Sequence, residues 1–334
     1  MYTLPTHITL AHGNGGEQMR QLIERLFAKY LANPILNLSA DAATLPVING
    51  VPMVTVDGFT VQPLVFPGGD IGSLAVHGSV NDLAVAGAKA KYLTLAAILE
   101  EGLSIDLLEQ VVASLSYTAN EAGVQVVCGD TKVVSRGQGS GIYLTTTAIG
   151  ERVCQQPLGM AQIQQGDAIL VSGPVGDHGA AVMLAREQFG LSGDLQSDAA
   201  NVYPFCEALY DLPGLRFLRD PTRGGLATVL HEIQLATQLG MRVREADIPV
   251  RETVASVCEM LGYDPYYLAC EGRIIAVVSA DQAEQALARW QAIQPDAAII
   301  GELVASHQRV VLQTSLGGER VLEPLMDEPL PRIC

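Results

Sequence analysis

Four carboxylates stand where apolar runs give way to turns or glycine-rich loops: Asp41 in SADAATL, Asp57 in TVDGF, Asp82 in GSVNDLA and Asp130 in CGDTK. Each alone reads as an ordinary turn or helix-cap residue. Ligands bind at strand ends in open α/β sheets, so the recurrence carries more weight than any single member. Together the four would form an oxygen-rich site for a hard cation such as Mg²⁺, which takes carboxylate, water and phosphate oxygens. Lys132 follows Asp130 by two residues and is one of only four lysines, at 29, 89, 91 and 132. Beside a metal-binding carboxylate it could meet a phosphate or a developing oxyanion; otherwise it is a solvated loop lysine.

The stretch HGNGGEQM (12–19) places Gly13, Gly15 and Gly16 immediately before an amphipathic helix. Free backbone N–H groups and the helix dipole could cradle a phosphate there, and a flexible hinge is an equal alternative. FPGGDIGSLAVHGSVND repeats the theme ahead of Asp82, with close backbone packing as its competitor. Glu271 in YYLACEGR and His178 in GPVGDHGAAV are possible acid–base groups, though each residue type is more often structural. RDPTRGGL sets Asp220, Arg223, Gly224 and Gly225 at a helix start without naming a substrate. No GxxxxGK[ST] or GxGxxG is present, which disfavours a P-loop or dinucleotide site.

Cys334 closes the sequence in PLMDEPLPRIC. After Pro329 and Pro331 it is expected to be mobile and exposed. The other cysteines, at 128, 154, 206, 258 and 270, form no CxxC pair and read as small core residues.

These residues need a scaffold of strands and crossing helices, and the pattern supplies one. Strand-like runs occur at 51–57, 91–99, 123–130 and 141–150, then at 168–173, 273–279 and 309–314. Helical patterns occupy 104–123, 178–189, 223–239 and 280–294; Ser104 is the expected N-cap of the first and Gly123 its stop. The expected fold is α/β with a domain at 1–155, a second at 156–320, and a mobile tail at 321–334. With 334 residues, 49% apolar and only 17% charged, the chain can bury two cores. A net charge of −16 sets the surface field against nucleic acid and anionic membranes. The opening MYTLPTHITLAHGNGG lacks a secretory pattern and no run has membrane-span length, so a cytoplasmic location is expected.

HGNGG, DAAT, TVDGF, GGDIGSLAVHGSVNDLAVAGAKAKYL, GDTKV, SGPVGDHG, RDPTRGGL, ACEG and the terminal PRIC together resemble the hydrogenase-maturation carbamoyl dehydratases of the aminoimidazole-ribotide-synthetase-like ATP-binding superfamily. The match runs over essentially the whole chain. It implies a two-domain α/β fold, a homodimer through the N-terminal domains, and ATP with Mg²⁺ in a glycine-rich, carboxylate-lined cleft. By motif match Asp41, Asp57, Asp82 and Asp130 would organise the metal and phosphates, with Gly13, Asn14, Gly15 and Gly16 covering the nucleotide. Cys334 would carry the reacting group, Lys132 would neutralise the transferring phosphoryl group and Glu271 would take a nitrogen proton. The implied reaction loads a carbamoyl group onto Cys334 from the carbamoyltransferase HypF. ATP-dependent dehydration then gives a thiocyanate, whose cyanide passes to the HypC–HypD complex for the [NiFe]-hydrogenase iron site. Selenophosphate synthesis is disfavoured because the glycine loop contains no cysteine, and thiamine-precursor phosphorylation or imidazole closure would leave Cys334 without a role. A non-enzymatic carrier of Cys334 would not need all four carboxylates.

Overall fold

The computed structural model describes residues 5–187, 194–326 and 333–334. It opens with a 3₁₀ turn (Leu10–Gly13), followed by a helical run made of α1 (Glu17–Leu22), a π turn (Ile23–Phe27) and α2 (Ala28–Leu31). Strand β1 (Pro52–Phe59) leads into two short strands, β2 (Val65–Phe66) and β3 (Gly69–Asp70), then α3 (Ile71–Val85), β4 (Ala88–Glu100), α4 (Ile105–Glu121), β5 (Gln125–Val134) and β6 (Ile142–Arg152). The long strands form a sheet in the order β1-β6-β4-β5. Only β4 and β5 are parallel, because α4 carries the chain back across the sheet between them.

Both helices follow from local sequence. Ser104 caps α4 by accepting the Leu107 N–H at 3.4 Å, and Leu108, Val111, Val112 and Leu115 recur at helical spacing as its buried stripe. Helix α3 is buried nearly all round, as its small apolar composition permits. Its N-cap Asp70 accepts the Gly72 and Ser73 N–H groups at 2.8 and 2.9 Å. Gly72 is required because a Cβ there would lie 2.2 Å from the Val111 carbonyl oxygen, where α3 crosses α4.

The second half contains β7 (Ala168–Val171), α5 (Asp177–Glu187), α6 (Tyr203–Glu207), β8 (Leu215–Arg219), α7 (Gly225–Thr237), β9 (Gly240–Arg244), α8 (Glu252–Leu261), β10 (Ile275–Val278), α9 (Ala283–Gln291), β11 (Ala298–Val304), β12 (Val310–Gln313) and β13 (Glu319–Val321). Its sheet order is β13-β12-β9-β11-β7-β10-β8. One apolar cluster unites this sheet with α7 through Leu226, Leu230 and Ile233. Another gathers Val202, Leu209, Leu218 and the fully buried Trp290, whose indole N–H donates to the Phe205 carbonyl. A third cluster runs from the first sheet and α3 into Ala181 and Val182 of α5 and Val254 and Val257 of α8, so the two halves share a core along that seam.

The expected elements occur with shifted ends, and the 178–189 helix reaches residues 188 and 189 that lie outside the described set. Strands β2, β3, β8, β9, β11 and β13 and helices α6 and α8 are additions. The segment expected to be an unpacked tail differs at both described ends. Its first residues are tied down: Leu322 N–H donates to the Val310 carbonyl at 2.9 Å, and His231 Nε2–H donates to the Leu322 carbonyl at 2.9 Å. At the other end Ile333 is 3% exposed and Cys334 is half-buried, not exposed. An apolar side chain adjoining a cleft accounts for this. Residues 327–332 lie outside the described set.

Candidate active site

Between the halves lies a cavity of about 320 Å³ whose lining includes Asp57, Asp82, Asp220, Arg223, Glu271 and Cys334. Strand β1 delivers Asp57, the last turn of α3 delivers Asp82, the loop after β8 delivers Asp220 and Arg223, and the segment before β10 delivers Glu271. Gly78 forms part of the wall, where a Cβ would come within 2.8 Å of the Phe59 ring.

Carboxyl groups crowd this space. Thr55 Oγ1–H donates to Asp82 Oδ2 at 2.7 Å. Asp57 is pushed up to about 6, first by burial and then by the charge and hydrogen bond of Asp82, with Arg223 acting the other way. Asp220 is pushed up to about 7, mainly by burial and then by Asp82. Glu271 is 2% exposed and its carboxyl is raised well above the ordinary range, by burial first and then by Asp220. Its Oε1 is buried without a hydrogen-bond partner among the described residues. Hydrogen bonds to Cys334 and its charge raise the Arg223 guanidinium further.

The backbone of Glu271 is held from two sides. Its N–H donates to Asp198 Oδ1 at 3.1 Å while the next N–H, of Gly272, donates to Asp198 Oδ2 at 3.2 Å. Its carbonyl accepts from Asn81 Nδ2 at 3.2 Å, and Asn81 also spans to the Ala200 carbonyl and the Val202 N–H. Asn81 precedes Asp82 on α3, so one side chain couples both walls of the cleft.

The four-carboxylate site expected from sequence is not assembled within the chain. Asp57 and Asp82 meet, but Asp41 is exposed in an irregular segment and Asp130 lies on β5, at the opposite edge of the sheet from β1. Three strand spacings put roughly 14 Å between those edges. Among the described residues no group of three or more His, Cys, Asp or Glu side chains is disposed to hold a metal ion. Asp130 instead pairs with Lys132 at 2.5 Å, which holds its carboxyl below the usual range, and this exposed pair lies away from Glu271 and Cys334.

The glycine loop belongs to that same far edge. A Cβ on Gly13 would lie 2.8 Å from the Val133 backbone nitrogen, so the loop rests on β5 beside Asp130 and Lys132. Gly15, at φ +76°, and Gly16 face open space. Asn14 is the C-cap of a short 3₁₀ turn at this loop. Apart from Asp41, the sequence-derived site residues therefore fall into two groups, one at each edge of the first sheet.

His178 is not placed for acid–base work in the cavity. It is fully buried, which lowers its pKa; Nδ1 lies 2.7 Å from Ser197 Oγ, and Nε2–H donates to the Ile333 carbonyl at 2.8 Å. Asp220 and Arg223 were visible in RDPTRGGL but without a role. Asp198 and Asn81 had no local signal, because each acts by bonding to backbone far away in sequence.

The chain matches two consecutive family models: the AIR synthase related protein N-terminal domain over residues 39–152, and its C-terminal domain over residues 164–313. Fold and cleft thus define a two-domain protein of the AIR synthase related class. Carbamoyl dehydratase HypE of Azotobacter vinelandii is 45% identical over 98% of this chain and 97% of its own length. A crystal structure of the hydrogenase maturation protein HypE in complex with ATP superposes with a TM-score of 0.93 at 44% identity, covering 99% of this chain and all of that one. A HypE–HypF complex structure gives 0.79 at 42% identity, covering 92% of this chain and 99% of that chain. The chain belongs to the HypE family of carbamoyl dehydratases, enzymes of hydrogenase maturation. None of its described helices is long and apolar enough to cross a membrane.

Proposed function

We propose that this protein dehydrates a carbamoyl group carried on Cys334 to a thiocyanate in an ATP-dependent reaction, supplying cyanide for the iron site of [NiFe]-hydrogenase. The observation that carries the proposal is the placement of Cys334 in one cavity with Glu271, Arg223, Asp57 and Asp82. HypF would load the carbamoyl group and the HypC–HypD complex would receive the cyanide, in a cytoplasmic setting. The structurally characterised HypE–HypF pair supports the first step.

A carbamoyl oxygen is a poor leaving group, and the γ-phosphoryl of bound ATP supplies the chemistry that makes it one. One N–H proton is lost as the oxygen–phosphorus bond forms and the bond from the γ-phosphorus to the departing ADP breaks. Loss of phosphate with the second N–H proton then leaves S–C≡N. Arg223 is placed to bind the negative charge developing on oxygen. Burial makes the Glu271 carboxylate strongly basic once ionised, which suits it to take a nitrogen proton. Asp57 and Asp82 suit Mg²⁺ held by two carboxylates with the remaining positions left to water and phosphate, the usual mode for that ion, and the raised proton affinity of Asp57 marks a place where a cation is wanted.

Asp130, Lys132 and the glycine loop would reach a cleft across a homodimer interface. Val54 and Val56 are 68% and 63% exposed on one face of β1, an apolar surface that a second copy would cover. In that arrangement Lys132 of one subunit would meet phosphates near Asp57 and Asp82 of the other, and Gly13–Gly16 would cover the nucleotide. Asp41, exposed in the segment before β1, would join the same site. Residues 1–155 would form the ATP-binding and dimerisation domain, 156–320 the second domain, and 321–334 the arm bearing Cys334.

The test is mass spectrometry of the Cys334 peptide after incubation with HypF, carbamoyl phosphate and ATP. A carbamoyl adduct that loses one water only with Mg-ATP is expected. A stable adduct under all conditions would leave only a carrier.

A further inference from the structure

The last two residues are gripped by their main chain. His178 Nε2–H donates to the Ile333 carbonyl at 2.8 Å, and the Thr60 backbone N–H donates to a main-chain carboxylate oxygen of Cys334 at 3.2 Å, with the Thr60 hydroxyl donating to the same oxygen at 3.4 Å. The Ile333 side chain enters the apolar cluster that also contains Phe59, Val61 and Leu268. His178 is itself locked. Its ring meets Phe66 edge-on at 5.3 Å, and Nδ1 lies 2.7 Å from Ser197 Oγ, which also accepts the Ala199 N–H at 3.0 Å. Donation to a carbonyl requires the proton on Nε2, and the neutral ring can then accept the Ser197 hydroxyl proton at Nδ1.

We propose that His178, supported by Ser197, and the Thr60 backbone form a two-point clamp on residues 333 and 334 that sets how far Cys334 enters the cleft, making His178 a positioning residue for the dehydration step. The proposal rests on the function argued above. The Ile333 carbonyl and the Cys334 main-chain carboxylate are held from opposite halves of the protein, by α5 and by the end of β1. A slip of one residue would move the sulfur by about 3.5 Å, more than a reacting pair tolerates. Loading of Cys334 by a partner requires the clamp open; dehydration requires it closed.

Two readouts separate the clamp from the chemistry. Alkylation of Cys334 by iodoacetamide in the intact protein, followed by peptide mass spectrometry, reports clamping whether or not any reaction occurs. Single-turnover loss of water from the carbamoylated protein with Mg-ATP reports positioning. His178→Phe keeps a ring but loses the donor; it should alkylate about tenfold faster and dehydrate about tenfold slower, the scale of one buried hydrogen bond. Carbamoyl loading and ATP binding should stay at wild-type levels. His178→Gln restores an N–H donor and should recover both rates at least in part. Ile333→Ala loosens the arm without altering the protein body, so it should shift both rates in the direction of His178→Phe even if the buried substitution fails to fold. Wild-type alkylation rates in His178→Phe and Ile333→Ala would overturn the clamp, as would a His178→Gln protein as defective as His178→Phe. Normal clamping in the alkylation assay with no water loss from the wild type would overturn the dehydratase reading and, with it, the positioning role.

Discussion

Asn81 donates its side-chain amide N–H to the main-chain carbonyl of Glu271 at 3.2 Å, joining the helix that carries one cleft carboxylate to the segment that carries another. The same amide donates to the Ala200 carbonyl at 2.9 Å, and its Oδ1 accepts the Val202 N–H at 2.9 Å. Asn81 is 1% exposed, so none of these groups has water as a substitute.

Asn81→Leu should therefore destabilise the protein by about 2–4 kcal/mol, since it strands buried backbone groups as well as losing its own bonds. Asn81→Asp should restore only the Val202 bond, because a carboxylate cannot donate to the two carbonyls. Denaturant unfolding of the three proteins measures this. A leucine variant within about 0.5 kcal/mol of wild type would remove Asn81 from the coupling between the halves.

The crowded carboxyls make stability depend on pH in a definite direction. Asp57 and Asp220 have folded pKa values raised to about 6 and about 7 from ordinary values of 3.8. The folded state then binds more protons than the unfolded state between those limits, so these two groups make stability fall as pH rises from about 4 towards 7. Asp220→Asn should flatten the upper part of that fall and raise the melting temperature at pH 8. In the proposed site Mg²⁺ would compete with the Asp57 proton, so it should stabilise the wild type at pH 8 more than at pH 5. Thermal melts at both pH values, with and without Mg²⁺, are the measurement. An Asp220→Asn protein with an unchanged pH profile would place the titrating groups elsewhere.

The sequence made the elements of the first half legible because their signals are local: Ser104 caps α4, its apolar residues recur every three or four positions, and Gly123 follows its end. Strands β8, β9 and β11 were harder, since Leu215–Arg219 and Gly240–Arg244 are short and mix arginines with apolar residues. Their strand state is decided by neighbours in the sheet. In the cleft, Asp57, Asp82, Glu271 and Cys334 could be named from their motifs. That Asp130 and Lys132 occupy the other edge of the sheet depends on strand order, which no motif encodes. For His178 the sequence offered a possible acid–base role beside the more common structural one, and only its partners, Ser197 and Ile333, decide between them.

That division between sheet edges leads to a prediction about assembly. The glycine loop, Asp130 and Lys132 lie by β5, while Asp57, Asp82 and Cys334 lie by β1, and one chain cannot bring them together without breaking its sheet. A second copy placed against the exposed Val54 and Val56 face could supply the missing groups to each cleft. Val54→Asp combined with Val56→Lys should yield a monomer by sedimentation, with the fold intact because both side chains point away from the core. Neither residue lines the Cys334 cavity, so that wall should be undisturbed. Even so, dehydration should fall by about 10²-fold or more, the scale of losing preorganised charge from a site. Mixing a Lys132→Ala protein with an Asp57→Asn protein should then restore activity, since a mixed dimer contains one cleft with both groups present. No recovery on mixing, with subunit exchange verified, would mean that Lys132 and Asp57 do not act in one cleft across the interface.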